Sequence, residues 1–401
     1  MIKRQSYLNL LFTFVDIKRI KVLSGVRRSG KTILLKQIQQ HLIDNGKDEN
    51  QIIYINFESI IYKRFLEVNA LYEHIVNTYK NLNNKIYLFL DGIQNVLNWN
   101  EMLISLLDDI DCDIYIVVTN SSSVSNEIST LTPEKYIRIQ VYPFTLSEAK
   151  AITIKNGKFI SNERLFNDYL LLGGLPMRFS NDGLPSDMWL TDTFKSILQM
   201  DVVERTKVVD FALLDNLLNF LMNNIGHAFS INSIARTFNI FGYEVNVETI
   251  MSTMDFIERS MALIPVRQYN LNTKCFRNTE IKFYSVDLGF CNIIRTSSGI
   301  DYNKLSENVV FLELLSRGYE VFFIKTVDCE VDFVAFKNHK CIYVQVCSSL
   351  HSPDTITREF GSLYKINDNF PKYVVSNETH DYSRNGIMHY NIINFLLDKS
   401  I

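Results

Sequence analysis

Residues 20–32 read Ile20-Lys-Val-Leu-Ser-Gly25-Val-Arg-Arg-Ser-Gly30-Lys31-Thr32. The stretch opens with residues 20–24, Ile-Lys-Val-Leu-Ser, which predict a short buried strand. A glycine-rich loop follows. Behind the loop, apolar residues recur at helical spacing from Ile33 to Ile43, until Asn45-Gly46 stops the helix. Strand, G-x-x-x-x-G-K-T loop and helix, in this order, are the context in which such a loop binds phosphate.

The chemistry of this loop assigns roles to individual residues. Backbone N–H groups of a glycine-rich loop turn inward around phosphates, and the start of the helix adds a favourable dipole. Lys31 is expected to reach the outer phosphates, and the Thr32 hydroxyl is expected to ligate Mg²⁺. ATP and Mg²⁺ are therefore the expected cofactors. The candidate nucleotide-binding residues are Gly25, Val26, Arg27, Arg28, Ser29, Gly30, Lys31 and Thr32.

Further strands are predicted downstream of the loop. They cover residues 51–58, 85–91, 113–119 and 136–142. Strands that alternate with helical segments predict an α/β fold, with a parallel sheet and helices on both of its faces. The apolar run 85–91 ends in Asp91, which is the form of a Walker B strand. Asp91 is expected to hold Mg²⁺ through water together with Thr32.

Seven stretches, taken in order, resemble one protein family. They are Gly25–Thr32, Leu90–Trp99, Tyr142–Glu148, Leu172–Pro176, Asp201–Arg205, Tyr284–Gly289 and Gly318–Val321. Their order is similar to that of the AAA+-like ATPases of bacteria and archaea that carry a C-terminal domain of unknown function. The resemblance implies a P-loop NTPase parallel sheet with a helical lid, a winged helix and a C-terminal restriction-endonuclease-like α/β domain. The expected boundaries are 1–148, 149–205, 206–290 and 291–401.

Three positions near the predicted site depart from the family pattern. The family has Asp-Glu at the end of Walker B, where this chain has Asp91-Gly92. That glutamate orients and polarises the attacking water, a role that glycine cannot fill. The polar stretch after residues 113–118 reads Thr119-Asn-Ser-Ser-Ser123 instead of Thr-Gly-Ser-Asn-Ser, and Lys135 stands where the family often has arginine. The pattern predicts nucleotide binding with slow hydrolysis.

Glu58 is the candidate replacement for the missing base. In a sheet of this class, the strand that ends in Asn56-Phe57-Glu58 should neighbour the Walker B strand, which would bring Glu58 close to Asp91. The alternative is a solvated carboxylate at a strand end, and the sequence alone favours that alternative. Asp91 and Glu58 are the candidate catalytic residues, and Thr32 and Asp91 are the candidate metal ligands.

The middle of the chain predicts a winged helix. Three amphipathic helical patterns cover residues 211–225, 231–241 and 247–257, and two strands at 262–267 and 281–286 can pair after them. The third helix carries Glu248, Asp255 and Glu258 against Arg259 alone. Carboxylates there would repel nucleic acid phosphates, so the charges favour a protein contact over DNA.

The last hundred residues carry a nuclease-like pattern with one substitution. The resemblance to restriction endonucleases makes Glu307, Asp332 and Gln345 the candidate ligands of a divalent metal. The lysine expected two residues after Gln345 is Cys347, and Gln345 is a neutral ligand. The substitutions predict a retained scaffold rather than an active nuclease.

Composition limits the remaining possibilities. The 401-residue chain has a net charge of −3, which provides no global attraction to nucleic acid. The six cysteines form no CxxC pair or zinc-ligand cluster, and no apolar run approaches a membrane span. A cytoplasmic protein is expected, with nucleotide and a protein as partners, DNA weakly supported and no membrane. The leading hypothesis is an ATP-gated conformational switch; the alternatives are an ATP-regulated DNA-acting protein or nuclease, and a scaffold with vestigial sites.

Overall fold

The chain folds into two compact units. The computed structural model describes residues 2–119, 134–180, 186–197, 210–271, 273–294, 301–326 and 329–398. One unit comprises Met1–Pro143 with Ser196–Lys207, and the other comprises Phe144–Lys195 with Val208–Ile401. The predicted α/β class is confirmed, both for the first unit with its parallel sheet and for a separate C-terminal α/β unit.

The first unit is a parallel sheet between helices. Its helices are α1 (Gln5–Phe12), α2 (Lys31–Asp44), α3 (Val68–Leu82) and α4 (Trp99–Asp109), with short 3-10 helices at Glu49–Gln51, Ile60–Leu66 and Ile93–Asn95. Its strands are β1 (Ile20–Gly25), β2 (Ile52–Asn56), β3 (Ile86–Asp91), β4 (Cys112–Thr119) and β5 (Tyr136–Gln140). Every pairing in the order β2-β3-β4-β1-β5 is parallel.

Strand β3 shows why strands of this sheet have continuous apolar sequences. Successive side chains of a strand point to opposite faces. Ile86, Leu88 and Leu90 pack in one core with apolar residues of α3 and α4, whereas Tyr87 and Phe89 pack in another with α1 and α2. Both faces of the strand are buried, so no polar alternation remains in its sequence.

The second unit contains one mixed sheet of eight strands. Its helices, with α7 ending one residue beyond it, are α5 (Leu146–Lys155), α6 (Asn162–Leu172), α7 (Ser186–Ser196), α8 (Phe211–Asn223), α9 (Ile231–Ile240), α10 (Val247–Ser260), α11 (Leu288–Ile294), α12 (Tyr302–Ser316), α13 (Pro353–Tyr364) and α14 (Ile392–Leu397), with a 3-10 helix at Pro176–Phe179. Its strands are β6 (Ala228–Phe229), β7 (Leu263–Asn270), β8 (Cys275–Ser285), β9 (Glu320–Lys325), β10 (Glu330–Lys337), β11 (Lys340–Val346), β12 (Lys372–Ser376) and β13 (Ile387–Asn391). The strand order is β13-β12-β11-β10-β9-β7-β8-β6.

The segment between residues 211 and 286 has the helices and strands that its sequence pattern predicts. Helices α8, α9 and α10 precede the antiparallel pair of β7 and β8, and Ser230 caps α9 by accepting a hydrogen bond from the backbone N–H of Ser233. Strand β7 also pairs with β9, which joins these strands to the C-terminal ones in one sheet. The winged-helix interpretation and the predicted domain boundaries stay predictions.

A buried carboxylate holds the Leu172–Pro176 loop in place. Asp287 accepts hydrogen bonds from the backbone N–H groups of Gly174 at 2.7 Å and Gly289 at 2.9 Å. Burial raises the pKa of Asp287 to about 6, although these N–H groups oppose the rise. The Gly174 carbonyl in turn accepts from the Phe144 N–H at 2.8 Å. The loop therefore has tight backbone contacts within its own unit.

Two glycines with the same φ angle, Gly157 and Gly173, allow the contact with Asp287 to be tested. Gly173 and Gly157 both have φ of 74°, in the left-handed region. A Cβ added to Gly173 would lie 1.8 Å from Oδ1 of Asp287, whereas one added to Gly157 would meet nothing within 4 Å. We expect Gly157→Ala to lower the free energy of unfolding by about 1–2 kcal/mol, the cost of the left-handed angle. Gly173→Ala should cost about 1–3 kcal/mol more, because of overpacking against Asp287 and because the ψ of −168° at Gly173 adds backbone strain for a residue with a side chain.

Urea denaturation of the full chain, followed by circular dichroism, measures both costs. Equal destabilisation by the two substitutions would contradict the role of Asp287 as a tight contact of this loop.

Candidate nucleotide-binding site

The loop between β1 and α2 is held close to the backbone that follows β5. Gly25 ends β1, and a Cβ added to it would lie 2.2 Å from the carbonyl oxygen of Val141. Gly30 has φ of 99° at the N-cap position of α2 and has no side chain with which to cap the helix. The first N–H groups of a helix have no partner within that helix, so this helix start favours an anion.

Lys31 and Thr32 are the first two residues of α2. The Lys31 side chain is only 5% exposed, and its Nζ donates to the carbonyl oxygens of Gly25 at 2.8 Å and Val26 at 2.9 Å. The ammonium therefore lies across the loop that precedes it. The Thr32 side chain lies close enough to the Asp91 carboxylate to lower the pKa of that group. These contacts bring together the lysine, the hydroxyl and the carboxylate that the sequence assigned to nucleotide and Mg²⁺.

Asp91 lies at the end of β3 in a largely buried position. Burial raises the pKa of its carboxyl group, while the Thr32 side chain and the hydrogen bond from Tyr54 oppose the rise. The Tyr54 hydroxyl lies 3.3 Å from Oδ2 of Asp91, and burial and the neighbouring carboxylate raise the pKa of this phenol to about 12. Sequence reasoning did not identify Tyr54. Its position two residues before Asn56, the partner of Asp91 in the sheet, is the signal that could have found it.

Glu58 lies beside the end of β3. Asn56 of β2 pairs with Asp91, and the Phe57 N–H donates to the Asp91 carbonyl at 2.9 Å, which confirms that β2 and β3 are neighbours. Gly92 has φ of 78°, and a Cβ added there would lie 3.6 Å from Cγ of Glu58. The Glu58 side chain thus lies next to the space that a side chain at position 92 would enter. A glutamate at position 92 would also adopt a left-handed angle that side chains disfavour.

Arg27 connects Glu58 to the loop. Its Nη1 lies 3.6 Å from Oε1 of Glu58, whose side chain is 59% exposed. An ion pair this exposed contributes little to stability. The contact shows that the Glu58 carboxylate lies within reach of the loop as well as of the end of β3.

A buried arginine outside the motif supports the loop. Arg4, at the start of α1, is 3% exposed. Its guanidinium donates to the carbonyl oxygens of Ser29 at 3.1 Å, Tyr142 at 2.8 Å and Pro143 at 3.2 Å. Sequence reasoning did not identify it, because nothing in the spacing links residue 4 to a loop 25 residues downstream. One side chain therefore connects the loop to the segment after β5.

The contact between Arg4 and Ser29 has a geometric consequence for the next residue. In a planar trans peptide, the carbonyl and the following N–H point in opposite directions. Because Arg4 holds the Ser29 carbonyl, it also directs the Gly30 N–H to the other side of the loop. Ser29 adds a buried Oγ for which the described residues provide no hydrogen-bond partner. A phosphate oxygen is an acceptor that would suit both groups, so the loop fits a phosphate.

The other sequence positions that depart from the family pattern are not part of the loop. Lys135 directly precedes β5, next to the start of β1, whereas the loop follows the end of β1. The Lys135 Nζ contacts Asp108 at 2.9 Å. Lys135 therefore lies away from the phosphate-binding loop, and its predicted effect on hydrolysis stays a prediction. Residues 120–123 and the stretch Asp201–Arg205 lie outside the described residues.

Two residues of the nuclease-like pattern, Gln345 and Cys347, are buried within the fold. The Gln345 side chain accepts from the Asp332 N–H at 3.2 Å and donates to Oε2 of Glu359 at 2.9 Å. Cys347 is 4% exposed, and burial raises the pKa of its thiol. A buried neutral thiol cannot supply the positive charge expected of a lysine. Among the described residues, no group of three or more His, Cys, Asp or Glu side chains is arranged to hold a metal ion.

Across the part of the chain that the structure describes, every helix falls short of the length and apolar character that a membrane span requires.

Family comparisons agree with the order of these elements. Residues 17–150 match a family described as "AAA domain". Residues 163–301 and 302–395 match two families, each described as "Domain of unknown function", with the designations DUF8612 and DUF4143. The match over residues 163–301 includes α11 and all of α6 except its first residue. These two helices flank the contact between Asp287 and Gly174.

Solved structures give weaker likenesses. The Walker-type ATPase of Pyrococcus abyssi is 12% identical, with coverage of 74% of this chain and 96% of that chain and a TM-score of 0.45. AMPPCP-bound DnaA of Aquifex aeolicus is 13% identical, with coverage of 64% and 87% and a TM-score of 0.33. At these TM-scores, neither likeness carries a functional argument.

Sequence relatives extend over most of the chain. An uncharacterized protein of Methanocaldococcus jannaschii is 29% identical over 352 residues, which are 83% of this chain and 75% of the relative. An uncharacterized protein of Haemophilus influenzae is 31% identical over 398 residues, which are 99% of both chains. With that relative, this chain belongs to a family of proteins that combine an AAA domain with a C-terminal domain of unknown function.

Proposed function

We propose that the chain binds ATP with Mg²⁺ in its P-loop and acts as an ATP-gated conformational switch with slow hydrolysis. The observation that carries the proposal is the meeting of Lys31 and Thr32, at the start of α2, with Asp91 at the end of β3. Residues Gly25–Thr32 would surround the phosphates, and Lys31 would exchange its carbonyl contacts for phosphate oxygens. Thr32 and Asp91 would hold Mg²⁺, which neutralises phosphate charge when bound.

Hydrolysis would depend on Glu58 in this proposal. Gly92 offers no carboxylate after Asp91, and Glu58 is the carboxylate adjacent to the space a side chain there would enter. Its 59% exposure favours a poorly constrained base, and therefore a slow one. Slow hydrolysis would prolong the ATP-bound state, which suits a switch better than a motor.

The remaining domains enter the proposal as the parts that respond to the nucleotide. We propose a helical lid at 149–205, a winged helix at 206–290 and a nuclease-like scaffold at 291–401. The surface of α10 carries exposed Glu248 and Asp255, with Arg259 paired to Asp255 at 3.9 Å. These charges favour a protein partner over DNA. An ATP-regulated DNA-acting protein remains the alternative function, and salt-dependent DNA binding by the full chain would favour it.

ATP binding is tested by Lys31→Ala, with Lys36→Ala as the matched control. Both lysines lie on α2, but Lys31 is buried against the loop and Lys36 is exposed. We expect calorimetry to detect Mg²⁺-dependent ATP binding by the parent chain and by Lys36→Ala. Lys31→Ala should lose measurable binding, because it removes the charge expected to contact the outer phosphates. Equal affinity of Lys31→Ala and the parent would refute the proposed site.

Arg4→Ala tests whether the loop must be held for binding. Without the guanidinium, the Ser29 carbonyl is free to turn, so the loop must become ordered when ATP binds. We expect affinity for ATP to fall about tenfold, which corresponds to ~1.4 kcal/mol. Lys3→Ala, an adjacent exposed cation, should bind ATP like the parent. A lower melting temperature for Arg4→Ala with unchanged ATP affinity would reduce Arg4 to a purely structural role.

Glu58→Gln tests the base, with Glu73→Gln, an exposed carboxylate on α3, as the matched control. The parent is expected to release phosphate at less than about one per second. Glu58→Gln should slow this by about a hundredfold or more while keeping ATP affinity, because amides do not accept a proton from water. Glu73→Gln should match the parent. Ordinary parent turnover would contradict slow hydrolysis, and an unchanged rate in Glu58→Gln would remove Glu58 from the mechanism.

A further inference from the structure

A lysine ammonium lies among three carboxylates in the second unit. Lys282 belongs to β8, and its side chain has no solvent exposure. Its Nζ lies 2.8 Å from Oε1 of Glu330, 3.5 Å from Oε1 of Glu307 and 3.7 Å from Oδ1 of Asp332. The three carboxylates come from α12 and β10, so one cation joins three elements of the unit.

Two of these carboxylates are the ones that the sequence pattern assigned to a divalent metal. Glu307 and Asp332 face the ammonium, and Glu330 takes the third place in the cluster. Gln345 does not join them, because its amide is hydrogen-bonded to the Asp332 backbone and to Glu359. The acidic site of the pattern is therefore retained in altered form, with a cation of the protein at its centre.

Further contacts balance the charge on Glu307. Oε2 of Glu307 accepts from Lys304 Nζ at 2.7 Å, and Oε1 accepts from the Tyr284 hydroxyl at 2.5 Å. Burial alone would raise the pKa of Glu307, but the charges of Lys282 and Lys304 outweigh it, and this pKa is lowered. Burial and the neighbouring Glu307 charge raise the pKa of Asp332 to about 7. Burial alone would lower the pKa of Lys282, but the carboxylates outweigh burial and raise it. The lysine keeps its charge, as a resident cation must.

We propose that the Lys282 ammonium takes the place of a divalent metal ion in the C-terminal unit, and that removal of this ammonium opens a site for such an ion. The two cations exclude each other for a steric and an electrostatic reason. Divalent ions require ligand oxygens at about 2.0–2.6 Å, a space that Nζ occupies. A second positive ion beside a buried ammonium would also meet strong repulsion in a medium of low dielectric. The proposal does not depend on nucleotide binding.

The proposal predicts a gain of metal binding. Mn²⁺ alone is titrated into nucleotide-free full chain, and binding is followed by electron paramagnetic resonance. Lys282→Ala should bind Mn²⁺ at least tenfold more tightly than the parent, and Asp332→Asn in that background should remove the gain. Lys325→Ala is the control: it removes a lysine of β9 that pairs with Glu280 at 2.9 Å, and it should bind like the parent.

Thermal melting provides a second readout. An ion that binds only the folded state stabilises it. Mn²⁺ should therefore raise the melting temperature of Lys282→Ala and leave that of the parent unchanged. If Lys282→Ala does not fold without metal, folding in millimolar Mn²⁺ is the expected result. Lys282→Met keeps a long side chain in the site and should gain less binding than Lys282→Ala.

Two results would overturn the proposal. One is Mn²⁺ binding by the parent that disappears in Asp332→Asn, since the metal would then coexist with the lysine. The other is Lys282→Ala that neither gains Mn²⁺ binding nor responds to Mn²⁺ in folding, since Lys282 would then be an ordinary buried ion-pair partner.

Discussion

A helix that starts directly behind a buried strand has several backbone N–H groups without partners inside the helix. Here that start is Lys31, after a loop that crosses tightly over Val141. The loop keeps its path because Gly25 has no Cβ to meet the Val141 carbonyl and because Arg4 holds the Ser29 carbonyl. The candidate nucleotide site follows from this constraint. With the loop in place, the register of β2 with β3 determines where Asp91 and Glu58 lie relative to it.

The position of Glu58 changes how the missing Walker B glutamate is understood. In the sequence, the absence of that residue predicted slow hydrolysis. In the folded unit, Gly92 adopts a left-handed angle, and the Glu58 side chain lies next to the space left by its absent Cβ. Gly92 and Glu58 thus lie side by side just beyond the ends of two neighbouring strands. A carboxylate is therefore present near Asp91. Under the proposed function, the rate of hydrolysis depends on how firmly the exposed Glu58 side chain is held.

The second unit depends on buried charges in a different way. Asp287 satisfies backbone N–H groups of a glycine loop, whereas the buried Glu307 and Asp332 and the exposed Glu330 surround the Lys282 ammonium. Removal of one partner from such a group leaves a buried charge uncompensated, which costs about 3–5 kcal/mol. The nuclease-like pattern of the sequence is therefore compatible with a unit in which acidic residues serve the fold. Cys347 and Gln345 also favour a structural role, because both are buried and neither can supply a charge.

The sequence by itself determined the parts that depend on local patterns. The order of strands and helices in the first unit, the loop Gly25–Thr32 and the carboxylate at the end of β3 are all contained in short stretches of chain. The roles of Arg4, Tyr54 and Lys282 were decided by tertiary structure, because each acts on residues that are distant in sequence. The nuclease-like pattern predicted Glu307 and Asp332 as neighbours, but no spacing rule places a lysine of β8 between them. Local propensity and periodicity specify elements, whereas the partner of a buried charge depends on which strands and helices come together in three dimensions.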